Sequence, residues 1–145
     1  MFLLDTNVIS ETRKLRQNKA DKNVTHWLAN VSLNSFHANP VVLMEIERGI
    51  LRMERKDPVQ ASMLRTWYQV AVKPMFNDRV LPIDEETATI CALLHFPDLS
   101  PENDAWIAAS ALQYDLTLVT RNVKDFKHTN VRLLNPFSDE ISGAL

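Results

Sequence analysis

The chain opens on Phe2-Leu3-Leu4, an apolar run that ends abruptly in Asp5-Thr6-Asn7. This pattern predicts a short buried strand delivering Asp5 to the carboxyl edge of a sheet, where open α/β sheets place their ligand sites. A helix is expected from residue 6 to about 11, with Asp5 or Thr6 near its cap. The polar, basic stretch 13–23 predicts an exposed loop or a helix start. Val24, Trp27, Leu28 and Val31 then recur at helical spacing. Residues 35–38 predict a second strand. Asn39-Pro40 starts a helix, because proline's missing N–H costs little at an early position. Val42, Ile46, Ile50 and Met53 form its apolar stripe. A further helix is predicted over about 59–72, a third strand over 79–83, and a helix from the Asp84 cap to about 95. Ser100-Pro101-Glu102-Asn103 reads as a helix start with Ser100 as cap. The helix over 101–114 carries Trp106, Ile107, Ala109, Ala111 and Leu112. Strands over 116–119 and 131–134 complete the pattern. Strands alternating with helices indicate α/β architecture around a mostly parallel sheet.

A length of 145 residues fits one domain, 1–145, with a sizeable core. Only two glycines occur, which favours helices over tight hairpins. The single cysteine, Cys91, excludes an internal disulfide and fits a reducing cytosol. It reads as a small buried apolar residue. The stretch 23–44 lacks formal charge, but four Asn, two His and Pro40 interrupt it, so no membrane span is expected. Asp5 breaks the first apolar run too early for a signal peptide. A cytoplasmic protein is therefore expected. The net charge of −2 gives no global basic field to attract nucleic acid.

Three acids distant in sequence change this bland picture. Asp5 ends the first strand. Glu45 lies about 100° from Ile46 around its helix, on the flank of the apolar stripe. Asp104 shares a face with Ile107, Ala108 and Ala111. Each has an ordinary reading alone: a helix cap for Asp5, a solvated acid for Glu45, a dipole-stabilising acid for Asp104. All three at element ends, facing inward, are poorly explained that way. Their mutual repulsion would raise their pKa values, and a divalent cation would remove that cost. Oxygen ligands favour Mg²⁺ or Mn²⁺ over zinc. Carboxylates with such ions mark hydrolytic phosphoryl transfer.

The residues that carry these acids resemble a known family. Met1-Phe2-Leu3-Leu4-Asp5-Thr6-Asn7-Val8-Ile9-Ser10, Met44-Glu45-Ile46, Asn103-Asp104-Ala105-Trp106-Ile107-Ala108-Ala109-Ser110-Ala111 and Val119-Thr120-Arg121-Asn122-Val123-Lys124-Asp125-Phe126 look like the four motifs of PIN-domain proteins. The closing Asn135-Pro136-Phe137 matches as well. The likeness is to the VapC and FitB-like toxins of bacterial toxin–antitoxin pairs, and it covers essentially the whole chain in order. It implies a three-layer α/β/α fold with a central mostly parallel sheet of four to five short strands. It also implies a metal-dependent endoribonuclease acting on transfer RNA or messenger RNA.

Asp5, Glu45 and Asp104 fall on the family's acidic positions. On this likeness, Asp5 and Asp104 would hold Mg²⁺ (or Mn²⁺), Glu45 would hold the ion or its water, and Asn122 would orient the nucleophile. Asn122 stands at the fourth acidic position, where other members often carry Asp, so a charge is missing there. Asp125 is expected mainly to fix its loop, or else to supply that charge. Thr6 matches the hydroxyl that follows the first acid. The likeness further implies a homodimer, a cognate antitoxin that blocks the site, and operator DNA reached only through that antitoxin.

The basic residues Arg48, Arg52 and Arg55 follow Glu45 at helical spacing, and Arg13, Lys14, Arg16, Lys19 and Lys22 form a second basic region. Both read as solvated surface or as phosphate contacts, which add affinity without sequence choice. Arg121, beside the proposed site, is the better RNA contact. His26, His37, His95 and His128 show no metal-ligand spacing, and Trp27, Trp67 and Trp106 read as core. The alternative function is a weakly active or inactive binding module acting with its antitoxin in a DNA-binding repressor complex. A phosphatase with Asp5 as nucleophile would need an acid where Asn7 stands.

Overall fold

Four short apolar runs pair as parallel strands in a computed structural model that describes residues 1–139. The strands are β1 (Phe2–Leu4), β2 (Phe36–His37), β3 (Thr117–Val119) and β4 (Leu133–Leu134), in the spatial order β2-β1-β3-β4. Phe2 lies opposite both Phe36 and Thr117, and Val119 lies opposite both Leu4 and Leu134. Leu3, Leu4, Leu118 and Val119 are fully buried. Burial on both faces is why these runs are continuously apolar rather than alternating. The chain leaves β1 for one neighbour, β2, and later returns beside it on the other flank as β3. The strand order therefore reverses between β1 and β3, and ligands bind in the crevice outside such a switch point.

Helices flank the sheet: α1 (Thr6–Thr12), α2 (Lys22–Ala29), α3 (Pro40–Lys56), α4 (Pro58–Trp67), α5 (Lys73–Phe76), α6 (Glu85–Leu94), α7 (Glu102–Gln113) and α8 (Val123–Phe126). No helix among the described residues is long and apolar enough to cross a membrane. Val42, Ile46 and Ile50 of α3 share one core with Ile107, Ala108 and Ala111 of α7. Each large aliphatic side chain buried this way contributes roughly 1.5–3 kcal/mol. Trp27 belongs to the same core, stacking on Phe36 at 5.5 Å and meeting the edge of Phe2 at 5.3 Å.

Asn39 sets how α3 sits against α7. It is fully buried. Its Oδ1 accepts from the Val42 N–H at 3.0 Å, capping α3. Its Nδ2 donates to Ser110 Oγ at 3.0 Å and to the Trp106 carbonyl at 3.3 Å. One amide thus caps the helix that carries Glu45 and pins it to the helix that carries Asp104.

The elements depart from expectation in three places. The stretch 79–83 is no strand. Val80 makes one parallel bridge to Ala38, through Ala38 N–H to the Arg79 carbonyl (3.1 Å) and Leu81 N–H to the Ala38 carbonyl (2.8 Å). The next bond of the ladder would run from residue 40 to the Leu81 carbonyl, and Pro40 has no N–H to give it. The helix over 59–72 is α4 followed by a π-helical turn, Tyr68–Val72. Pro74 lacks the N–H that would reach the Val70 carbonyl, and its ring would clash there, so the turn widens. Ser100 does not cap α7. The cap position is Pro101, with no side-chain hydrogen bond, and the Ser100 hydroxyl instead donates to the Leu94 carbonyl at 2.9 Å.

Candidate active site

Asp5 stands where the sheet ends. Its backbone N–H still donates to the Val119 carbonyl at 2.9 Å, continuing the β1–β3 ladder by one bond. Its side chain is 5 % exposed and held by donors on both oxygens. The Thr6 N–H donates to Oδ1 at 2.8 Å, so Asp5 caps α1. The Thr120 hydroxyl donates to Oδ2 at 2.7 Å, and Asn7 Nδ2 approaches the same oxygen at 3.4 Å. Burial pushes the Asp5 pKa up, the Thr120 and Thr6 hydrogen bonds work against that rise, and the charges of Glu45 and Asp125 add to it.

Glu45 reaches the same crevice from the first turns of α3. The Thr6 hydroxyl donates to its Oε1 at 2.7 Å, and Asn103 Nδ2 donates to its Oε2 at 3.3 Å. Thr6 therefore joins two acids: its N–H serves Asp5 and its hydroxyl serves Glu45. Asn103, the residue before Asp104, ties Glu45 to α7.

Asp104 lies half-buried in the first turn of α7. Among the described residues its carboxylate accepts no hydrogen bond and has no cationic partner within salt-bridge distance. Its pKa is raised to about 6, mainly by burial and then by the charges of Asp5, Asp125 and Glu45, with His128 opposing. The charges of Glu45 and Asp125 therefore bear on both Asp5 and Asp104 across the carboxyl end of β1 and β3.

The fourth corner differs from expectation. Asn122 is exposed, and its side chain makes no hydrogen bond among the described residues; its backbone N–H donates to Thr120 Oγ1 at 3.0 Å. The Asp125 side chain does not fix the loop. The turn is closed by its backbone N–H on the Asn122 carbonyl at 3.0 Å, while its exposed carboxylate acts electrostatically on Asp5 and Asp104. Asp125, one turn of chain beyond Asn122, thus brings a charge to bear on Asp5 and Asp104.

Arg48, Arg52 and Arg55 are exposed on α3, with no ion pair among the described residues. No contact brings Arg48 to the acids. Lys14 pairs with the buried Glu11 at 3.2 Å. Arg13 and Arg16 line a cleft with Met63, Trp67 and Val70, away from the acids. Arg121 lies over the Phe137 ring at 4.6 Å. His95 and His128 are tied to Ser100: the Ser100 N–H donates to His95 Nδ1 at 3.1 Å, and His128 Nε2 lies 2.6 Å from Ser100 Oγ. Cys91 is buried, which raises its pKa.

Three residues that orient the acids, Asn7, Asn103 and Thr120, carry no distinct signal in the sequence. Thr120 is the most legible of them. It ends the buried run Leu118-Val119 as Asp5 ends Leu3-Leu4, so the two strand ends mirror each other.

A parallel four-stranded sheet with acids from the ends of β1, α3 and α7 meeting at the switch point defines a class. The PIN domain profile matches residues 2–131, and the chain belongs to that family. Within it, the chain is 32% identical over 146 residues to Toxin FitB of Neisseria gonorrhoeae, covering 96% of this chain and all of that protein. It is 37% identical over 82 residues to Ribonuclease VapC14 of Mycobacterium tuberculosis, covering 57% of this chain and 69% of that protein. Among solved structures, FitAB bound to an IR36 DNA fragment contains a chain with a TM-score of 0.82 and 28% identity, covering 95% of this chain and 96% of that one.

Proposed function

We propose that this protein is the toxin of a toxin–antitoxin pair and hydrolyses RNA phosphodiester bonds with the help of Mg²⁺ or Mn²⁺. The observation that carries the reading is the convergence of acids at the switch point: the charges of Glu45 and Asp125 act on Asp5, and those of Asp5, Asp125 and Glu45 act on Asp104. Likeness to Toxin FitB and Ribonuclease VapC14 supports it.

The donor chemistry fits a hard divalent ion, since every candidate ligand is an oxygen. Among the described residues no three His, Cys, Asp or Glu side chains close on one point. Mg²⁺ keeps several waters and is bound through one or two carboxylates. Asp5 and Asp104 would hold it, with Glu45 or Asp125 completing the shell. When bound, the ion supplies charge stabilisation at the phosphate and activates water.

The chain's own residues do the positioning. Thr6 and Thr120 hold Asp5 in one orientation. Thr6 and Asn103 hold Glu45 beside it, where its carboxylate can take a proton from the attacking water. Asn122 offers an unused amide at the mouth of the crevice to orient that water. Arg121 and Arg48 offer cations for the RNA backbone. Likeness to FitAB bound to a DNA fragment supports a partner protein and contact with DNA; the reading adds a homodimer and an antitoxin that blocks the site and carries the pair to operator DNA.

Asn122, standing where other members of the family often carry an acid, motivates a second reading, a binding module with weak or no nuclease activity. One experiment separates the two. Cleavage of labelled RNA by the full chain should require Mg²⁺ or Mn²⁺ and fall by at least about a hundredfold in both Asp5→Asn and Asp104→Asn. Sequencing RNA ends after induced expression, with Asp5→Asn as control, names the RNA and the cut. Equal cleavage by wild type and both variants overturns the reading. No cleavage and no Mg²⁺ uptake by calorimetry, with partner binding kept, establishes the module.

A further inference from the structure

A cleft of about 330 Å³ opens beside the acids, lined by Arg121, Asn122, Lys124, Asp125 and Asn135 among others. We propose that it is a subsite for the nucleotide next to the scissile phosphate, binding its phosphate through Arg121 and Lys124 and its base edge through the Asn122 and Asn135 amides. The proposal rests on the ribonuclease reading and adds where a second nucleotide of the strand lies.

The lining is rich in donors that nothing else uses. Arg121 has no ion pair among the described residues. Its guanidinium is instead laid over the Phe137 ring at 4.6 Å. Contact with the ring restrains the guanidinium, so fewer conformations are lost when it meets an anion. Lys124 is exposed and likewise has no ion pair among the described residues. Asn135 is held in one orientation, because its Oδ1 accepts from the Phe137 N–H at 2.9 Å. That leaves its Nδ2 as the group on offer, a donor seeking a base carbonyl or a phosphate oxygen. The Asn122 side chain makes no hydrogen bond among the described residues, so the edge that does not face the attacking water can meet a base. An occupant must therefore bring several acceptors, at least one of them anionic, and a nucleotide does.

The cleft also has a direction. Arg121 and Lys124 supply its positive charge, while Asp125, in the same lining, acts electrostatically on Asp5 and Asp104. A strand whose phosphate lies at the four acids has its neighbouring nucleotide within reach of this wall. The base edge meets amides rather than an aromatic slot, so selection would be by hydrogen bonding.

The test is binding of a fluorescent ten-nucleotide single-stranded RNA to the full chain, in EDTA so that no cleavage occurs. Arg121→Gln and Lys124→Gln should each weaken binding about fivefold to tenfold and lower the salt slope by about one. Phe137→Leu keeps the charge but frees the guanidinium, and should weaken binding less without changing the slope. If it melts early, Lys124→Gln on the exposed surface still decides. Asn135→Ala should flatten any preference among oligomers of the four bases. Inorganic phosphate that displaces RNA at equal concentration would show a free-anion site and overturn the nucleotide subsite. So would wild-type affinity in both charge variants, or displacement by an acidic peptide but not by unlabelled RNA. The ribonuclease reading fails separately. RNA bound through Arg121 and Lys124 but never cut with Mg²⁺ leaves the subsite standing without the enzyme.

Discussion

The two sides of the site treat their carboxylates in opposite ways. At the sheet edge, Asp5 is buried and accepts from Thr6 and Thr120, donors fixed by α1 and β3. At the helix rim, Asp104 is half-buried, accepts no hydrogen bond among the described residues, and has its pKa raised to about 6. Both are raised by burial, but only Asp5 has donors that oppose the rise. Asp5 is therefore oriented before anything binds, whereas Asp104 is placed by its helix alone and faces charges of its own sign. Glu45 stands between them, held by one short and one long hydrogen bond. The difference teaches that orientation and charge are separate provisions in this site. The sheet supplies the first, and the rim holds the group that most needs a cation.

The largest effect expected from that contrast is on cleavage. Asp5→Asn and Asp104→Asn should both lose at least about a hundredfold of RNA cleavage, but Asp5→Asn should do so while keeping part of its donor shell. Loss in one variant only would break the pairing of the two sides.

Next comes Thr120→Val, which removes a buried hydroxyl at nearly constant volume. It leaves Asp5 Oδ2 without its 2.7 Å donor and the Asn122 N–H without its acceptor. A buried group left unpaired costs about 1–3 kcal/mol, read from urea melts, and Thr120→Ser should recover most of it. A Thr120→Val protein as stable as wild type would mean that the sheet edge does not hold Asp5 in this way.

How much of this was legible in the sequence follows from what each residue interrupts. Asp5, Glu45 and Asp104 break or flank apolar patterns, so burial made them conspicuous. Thr120 and Asn103 do not, because a hydroxyl or amide at an element's end looks like a cap. Asp125 read as a loop-fixing residue because sequence spacing cannot show charge acting across space. The strands around Asp5 and Thr120 were legible as apolar runs ending in polar residues. The stretch 79–83 has the same look, yet Pro40 opposite it has no N–H to carry the ladder past a single bridge. The π-helical turn lay hidden because apolar spacing over 59–72 continues through it, while its cause, Pro74, lies beyond.

A smaller effect comes from the charge on the rim. Because the Asp104 pKa is about 6 in the folded protein and near 3.8 otherwise, the folded state holds the proton more tightly between those values. Stability therefore falls as pH rises through about 4 to 6 and stays lower above it. Partial exposure screens the effect, to about 1 kcal/mol. Metal-free Asp104→Asn should melt higher than wild type at pH 7.5 and show a flatter profile from pH 4 to 6. Added Mg²⁺ should raise the melting temperature of wild type more than that of the variant. Parallel profiles for the two proteins would break the contrast.

The smallest effect tests the link between the sides. Asn103→Ala removes the 3.3 Å donor from Glu45 Oε2 and leaves the 2.7 Å Thr6 hydroxyl on Oε1. Glu45 is only half-buried, so water can replace the lost donor, and a cost of about 0.5 kcal/mol is expected in urea melts. Thr6→Val removes the shorter bond and should cost more, because the same hydroxyl joins Glu45 to the first residue of α1, whose N–H the Asp5 side chain caps. If Asn103→Ala costs as much as Thr120→Val, the rim is as firmly built as the sheet edge. The raised pKa of Asp104 would then reflect charge crowding in a rigid site rather than a loosely supported acid.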